Sequence, residues 1–412
     1  MSESEGAVVS ESSRLTGARG AGAPDAREAV RALRPSQIRE VANAGFGVAD
    51  VLPFWFGESD CVTPQFIRDT VSRAFADGET FYTHNLGIAP LREALARYVS
   101  SLHGATTTDH VAVTSAGVNA LMLAAQLVVG AGDRVVAVTP LWPNLVEIPK
   151  ILGASVETVS LTYGPGGWTL DLDRLARGPH AGHAHADDQL AEQPDRLDDD
   201  ARAATHRAGA LPPSRHLDVA DEVYERLYYG DDARVIAVNS FSKAWLMTGW
   251  WLGWLVAPTQ LMDDLGKLVE YNTSAPSFVQ KAGLVAVEED ERFAQSLVAD
   301  LRASRDHLVR ALQTIDGVDV RSPDGAMYLF FSLPGAANSL ELCKSLVREA
   351  GLGSRRAARS GRRERASCAG ATLAIRPGPA QRGRRTSAAL PGYAPRRLKP
   401  AGGGHSAPVR VE

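Results

Sequence analysis

Short apolar runs of strand length, Val111–Thr114, Arg134–Val138, Leu217–Val219 and Val235–Val238, are interleaved with longer stretches of helical period. Alternation of that kind closes into a mainly parallel sheet with helices on both faces. After about Tyr271 the pattern changes. Helical sequence runs on to about Ile315, Gly317–Val320 and Ala326–Phe331 read as two antiparallel strands, and Ser339–Ala350 reads as an amphipathic helix. The expectation is an α/β large domain followed by a small α+β domain.

The most informative run ends in a reactive group. Val235–Val238 leads into Asn239-Ser240-Phe241-Ser242-Lys243, a single lysine in a turn of small hydroxyl residues. A lysine held between apolar segments is desolvated, which favours the neutral amine and frees it to condense with an aldehyde. A lone lysine more often lays its stem on the core and its head in water. Upstream, however, Leu217-Asp218-Val219-Ala220-Asp221-Glu222-Val223-Tyr224 sets an acid at the end of an apolar run with a tyrosine three residues on. A carboxylate beside a pyridine nitrogen keeps it protonated, as an electron-withdrawing cofactor requires.

With these residues the sequence resembles the class I/II aminotransferases, fold-type I enzymes that use pyridoxal 5'-phosphate (PLP). Their wording around the lysine is close to S-F-S-K-x-x-x-M-T-G-W-R-x-G. The resemblance runs from about Ile38 to Gly353 with one large gap, and it implies roles for several positions. Lys243, Asp221 and Tyr224 are the implied catalytic residues: the Schiff-base lysine, the partner of the pyridine nitrogen and the donor to the phenolate oxygen. Ala116, Gly117 and Val118 occupy the phosphate loop at the start of a helix, where orphan N–H groups and the helix dipole favour an anion. Trp142 corresponds to the aromatic that stacks on the cofactor ring, Ser240 assists the phosphate, and Gly57 lies against the substrate carboxylate. Tyr82, within Thr80-Phe81-Tyr82-Thr83, corresponds to a tyrosine that reaches across a dimer to the partner's PLP phosphate, which implies a homodimer.

The implied reaction moves an amino group between an amino acid and a 2-oxo acid. C–S lyases and decarboxylases use the same lysine and acid and remain alternatives. The implied domains are a mobile arm at 1–36, a small domain from 37–64 and 302–353, and a large PLP-binding domain at 65–301. No apolar run approaches membrane-spanning length, and no apolar signal core stands at the N-terminus. The expected location is cytoplasmic, with neither a membrane nor a nucleic-acid partner. Cys61, Cys343 and Cys368 are too few and too scattered for a disulfide framework or a zinc site.

Two stretches break the family pattern. Between Arg177 and His216 the strand and its N-P-x-N-P-T-G loop are missing, and the segment lacks strand periodicity. Gln189–Asp198 can nevertheless be encoded so that the neighbouring frame reads N-S-P-N-N-P-T-G-W. The tail, 354–412, holds 14 Lys and Arg against 2 Asp and Glu, a balance that suggests a disordered polyanion-binding arm. Its neighbouring frame permits A-P-G-S-A-F-G and F-L-R-W-C, so the family's carboxylate-binding arginine would straddle Cys368 and Ala369. Both stretches read as out of frame, and an inactive or poorly folded aminotransferase remnant is a further alternative. Two departures stand in register: Asp221 and Lys243 are only 22 residues apart, and Trp251 holds the place of a phosphate-binding arginine.

Overall fold

The computed structural model describes residues 25–102, 104–164, 167–171, 183–187, 217–221, 236–323, 325–333, 338–356 and 370–374. The chain divides into two compact units, Met1–Arg34 and Pro35–Glu412. The first contributes one short helix, α1 (Glu28–Arg31), with an Arg31–Asp25 ion pair at 2.7 Å. This helix falls within 1–36, the stretch that the sequence reading takes as a mobile arm.

The second unit begins with α2 (Gln37–Gly45), whose Ser36 side chain accepts from the Arg39 N–H as an N-cap. It continues through β1 (Leu52–Pro53), α3 (Gln65–Ala76), α4 (Ala89–Leu102), β2 (Val111–Thr114), α5 (Gly117–Val128) and β3 (Arg134–Thr139). Next come α6 (Asn144–Ile151), β4 (Ser155–Ser160), the hairpin of β5 (Thr162–Gly164) and β6 (Gly167–Thr169), and then β7 (His183–Asp187). The strands β8 (Leu217–Asp221), β9 (Ile236–Ser240) and β10 (Gly253–Val256) follow. A helical run, α7 (Thr259–Asn272), α8 (Ser277–Glu288) and α9 (Asp290–Gln313), leads to β11 (Asp319–Val320) and β12 (Tyr328–Ser332). The described chain ends with α10 (Ser339–Ala350), β13 (Leu352–Gly353), β14 (Arg355–Arg356) and β15 (Gly370–Ala374).

Seven strands form the main sheet in the order β2-β10-β9-β8-β7-β3-β4, and only β10 runs antiparallel to its neighbours. Every residue of β2 is buried, and β3 is buried after Arg134. Helices cover both faces, so these strands read as unbroken apolar runs. On one face α5 and α7 pack Leu121, Leu123, Met262 and Leu265 against Val219, Val238 and Leu255. On the other, α4 and α8 pack Leu91, Leu95, Val99, Ala282 and Ala286 against Val113 and Trp254. Each such fully buried leucine contributes about 1.5–3 kcal/mol relative to an exposed one.

A separate core gathers Val41, Trp55, Leu301, Leu329, Phe331, Cys343 and Leu346 beneath an antiparallel sheet of order β11-β12-β15-β14. The α10 helix has the bounds read from the sequence, and Asn338 caps it by accepting from the Leu340 N–H at 3.0 Å.

Three local expectations need correction. Asp50–Phe56 reads as one strand, but only Leu52–Pro53 pairs, with β13; Pro53 has no N–H, and the Phe54 N–H turns back to the Leu52 carbonyl at 3.1 Å. The segment 177–216 was expected to lack a strand, yet His183–Asp187 fills the central slot between β3 and β8. Ladder pairing uses backbone groups, and this pentapeptide contains no proline to interrupt it. In the tail, Gly370–Ala374 pairs with β12 along its whole length and with β14, so this piece of 354–412 is sheet. The codon-level readings at Gln189–Asp198 and Cys368, like Tyr224, lie outside the described residues.

Candidate active site

In a parallel sheet the carboxyl ends of the strands open onto a common crevice. Here the ends of β2, β3, β8 and β9 deliver Ser115–Asn119, Trp142, Asp221, and Ser240, Ser242 and Lys243 to one cavity of about 680 Å³. Its opposite wall comes from the other core: Ile38 and Arg39 of α2, Trp55–Glu58 after β1, and Tyr328 at the start of β12. The site thus lies where two hydrophobic cores meet.

The lysine turn is built from its own backbone and hydroxyls. Phe241 N–H donates to the Leu252 carbonyl at 3.0 Å, and Met247 N–H returns to the Phe241 carbonyl at 3.3 Å. Ser240 Oγ accepts from the Ser242 N–H at 3.1 Å and donates to Ser242 Oγ at 2.8 Å. Beneath the turn Phe241, Trp245 and Trp254 interlock with ring centroids 4.9–5.9 Å apart, and Trp245 Nε1 donates to the Ala286 carbonyl. Such aromatic pairing leaves the turn little room to shift. Lys243 Nζ emerges above it and donates to the Gly57 carbonyl.

Two glycines make the approach possible. A Cβ on Gly57 would collide with the Tyr328 hydroxyl and stand 3.0 Å from Lys243 Nζ. A Cβ on Gly253 would lie 2.6 Å from the Gly117 nitrogen, so β10 can run beside the first turn of α5 only because residue 253 has none.

Eight of the ten residues singled out from the sequence line this cavity: Gly57, Ala116, Gly117, Val118, Trp142, Asp221, Ser240 and Lys243. Asp221 is 2% exposed at the end of β8. Tyr82 lies elsewhere, 98% exposed on the loop before α4. Sequence reading missed Trp55, Phe56 and Tyr328, which no local motif marks and which reach the site only because the two cores pack together. Arg39 is also at the cavity, its guanidinium 5.2 Å from the centre of the Phe56 ring.

The sequence pattern of the family described as aminotransferase class I and II matches residues 54–184 and 210–373. The chain belongs to the class I and II aminotransferases. Among similar proteins, the aspartate aminotransferase of Pyrococcus horikoshii is 28% identical over 328 residues, covering 76% of this chain and 84% of the relative. The aspartate/prephenate aminotransferase of Thermus thermophilus is 26% identical over 355 residues, 78% of this chain and 88% of the relative. In fold, the chain resembles the N-succinyldiaminopimelate aminotransferase of Mycobacterium tuberculosis with a TM-score of 0.76 at 22% identity, covering 85% and 95% of the two chains. An Escherichia coli protein with a methionine aminotransferase function gives the same TM-score and coverage at 20% identity.

Aminotransferases of this class use PLP, and the residues present fit it. The cavity supplies a primary amine, a buried carboxylate at a strand end, an indole, and the hydroxyls of Ser240 and Ser242 beside the first turn of α5. The close approach secured by Gly253 and Gly117 keeps side chains out of that turn, where N–H groups without helical partners suit a phosphate. The cavity lining carries less positive charge than the family pattern provides. Trp251, where the family has arginine, lines the cavity 70% exposed with left-handed backbone at φ 55°. Among the described lining residues the only cations are Arg39 and Lys243.

Proposed function

We propose that Lys243 is the residue through which this aminotransferase works, with aspartate as its first candidate amino donor. When bound, PLP supplies an aldehyde for covalent capture of the amine and an electron sink for the charge released at Cα. Lys243 Nζ then takes the proton from substrate Cα and delivers it back, as base and as acid. Asp221, buried at the end of β8, would serve as the partner of the ring nitrogen, and Trp142 would offer the ring a flat apolar surface to stack on. Tyr224 tunes the phenolate side in this reading. Ser240, Ser242 and the N–H groups of residues 116–118 orient the phosphate end. Gly57 leaves the substrate carboxylate its space. The donor proposal rests on the names of the similar aspartate aminotransferases.

The reading extends to assembly. A homodimer accounts for Tyr82 and Phe81, 98% and 82% exposed, as groups presented to a second copy. The two cores support a small domain at 37–64 and 302–353 beside a large one at 65–301. A cytoplasmic setting is part of the same proposal. Among the described residues no helix is long and apolar enough to cross a membrane.

The observation that carries the proposal is the arrival of Lys243, Asp221, Trp142 and the α5 turn at one cavity from four different strand ends. Borohydride reduction after incubation with PLP, followed by peptide mapping, is expected to label Lys243, and Lys243→Ala is expected to abolish the label. Label on another lysine would overturn the assignment.

A second reading is favoured by the family match itself, which skips 185–209 and stops at 373. The first break falls inside 177–216 and the second inside 354–412, the stretches whose neighbouring frames permit family motifs. We read this chain as an aminotransferase with two segments translated out of frame, lacking the asparagine loop and the carboxylate arginine.

A further inference from the structure

Glu79–Ile88 forms an arch whose tip carries Phe81 and Tyr82, and both of its feet are held by one face of α8. At the first foot Ser277 Oγ donates to the Glu79 carbonyl at 2.7 Å, and Lys281 forms an ion pair with the Glu79 carboxylate. The second foot is tied by Gln280, which is fully buried. Its Nε2 donates to Thr83 Oγ1 at 3.1 Å and to the Ala275 carbonyl at 2.6 Å, while its Oε1 accepts from the Ile88 N–H at 2.8 Å. Gly87, at φ +101°, lets the backbone close on this amide; a Cβ there would lie 3.1 Å from Oε1.

A buried amide that loses its partners carries a desolvation cost, and two of the three Gln280 hydrogen bonds, to Thr83 and Ile88, last only while the arch keeps this shape. The tip has the opposite character, since Tyr82 is almost wholly exposed. Holding such a side chain in one geometry before it meets its target reduces the ordering cost on contact.

We propose that Gln280 is a positioning residue acting in trans: it holds out Tyr82 for the phosphate end of a second copy's cofactor site, so that each site's affinity for PLP depends on the other chain's Gln280. This rests on the partner-directed reading of Tyr82 given above.

The test compares Gln280→Glu, Thr83→Val and Tyr82→Phe, reading the PLP concentration that half-saturates the borohydride-trapped label on Lys243, with the melting temperature and the dimer population measured alongside. Gln280→Glu keeps an acceptor for the Ile88 N–H but removes both donors. Thr83→Val removes the arch end of the bond, together with the Thr83 Oγ1 donation to the His84 carbonyl at 3.3 Å, and leaves the rest of the Gln280 network intact. All three variants are expected to require about tenfold more PLP, the size of one lost hydrogen bond to a charged group. In mixed dimers with a Lys243→Ala chain, the label on the Gln280→Glu chain is expected to return to wild-type affinity, because that site now receives Tyr82 from a chain with intact Gln280. A merely structural lesion would stay with its own chain.

Equal weakening in mixed dimers would overturn the trans role. Unchanged affinity in Thr83→Val and Gln280→Glu, with Tyr82→Phe weakened and rescued by mixing, would overturn the role of Gln280 and leave the reading of Tyr82 standing. Unchanged affinity in Tyr82→Phe would remove that reading and the proposal with it. Should Gln280→Glu fail to fold, Thr83→Val and its mixed dimers decide alone.

Discussion

Strands β9 and β7 lie in the same sheet, separated only by β8, and the sequence marks one clearly and the other not at all. Ile236 and Val238 of β9 are fully buried, and the strand ends in the Ser-Phe-Ser-Lys turn whose every position has a use. The β7 strand is His-Ala-His-Ala-Asp, taken from a stretch with no family motif, and it pairs in register with both neighbours. The difference separates two kinds of specification. A ladder asks a strand for backbone donors and acceptors, which any five residues without proline carry. A catalytic turn asks for particular side chains at particular places, so a segment without family motifs can meet the first demand and fail the second.

The largest expected effect follows directly. On the frame reading proposed above, writing both stretches in the neighbouring frame returns the asparagine loop and the carboxylate arginine while keeping the length of chain needed for β7 and β15. An arginine that grips a carboxylate with two hydrogen bonds orients the substrate as well as binding it, and positioning of that kind is worth several kcal/mol. Turnover with aspartate and a 2-oxo acid is therefore expected to rise by roughly 10³-fold or more over the chain as given. Equal turnover by the two chains would return 177–216 and 354–412 to the status of functional sequence.

A smaller effect tests whether β7 carries load. Ala186 pairs with Ala137 on one side and Val219 on the other, in the middle of the sheet. Ala186→Pro deletes a ladder hydrogen bond and forces a ring into a two-sided strand, so unfolding free energy should fall by about 3 kcal/mol or more. The same change at Ser339, the first residue of α10, where proline is tolerated, should cost much less. A stability unchanged by Ala186→Pro in urea titration would mean that the sheet does not depend on this pairing, and the contrast with β9 would lose its basis.

What was legible follows the same division. The strands β3 and β9 and the helix α10 come from strong period and composition, and their bounds lie within two residues of the sequence reading; the stretch from about Tyr271 to Ile315 was legible as helical, but its division into α8 and α9 was not. That Lys243, Asp221 and the turn at 116–118 line one cavity was legible because each belongs to a short motif tied to a strand end. Phe56 and Tyr328 were not, because they reach the cavity through packing between two cores whose relative placement no local pattern encodes. Leu52–Pro53 fell short of the expected strand because Pro53 ends its ladder, and β7 and β15 escaped notice because backbone pairing has a weak side-chain signature.

The smallest effect concerns a site where the side chain, rather than the backbone, departs from the family. Trp251 has left-handed backbone, φ 55° and ψ 62°, and it lines the cavity while remaining 70% exposed, at the position where the family pattern has a phosphate-binding arginine. Arginine carries the same Cβ, so Trp251→Arg adds no backbone strain beyond what the indole already bears. What changes is charge: a guanidinium meets a phosphate with paired, charge-assisted hydrogen bonds that indole cannot form. Such a contact contributes about 1.5–3 kcal/mol, and exposure to water favours the lower end, so PLP should bind roughly tenfold more tightly. Equilibrium dialysis across a salt series separates charge from packing. A gain that shrinks as salt rises identifies the guanidinium as its source, and Trp251→Ala shows how much the indole itself contributed. Unchanged affinity in a folded Trp251→Arg protein would mean that residue 251 does not face the phosphate and that the cavity compensates for the missing cation elsewhere.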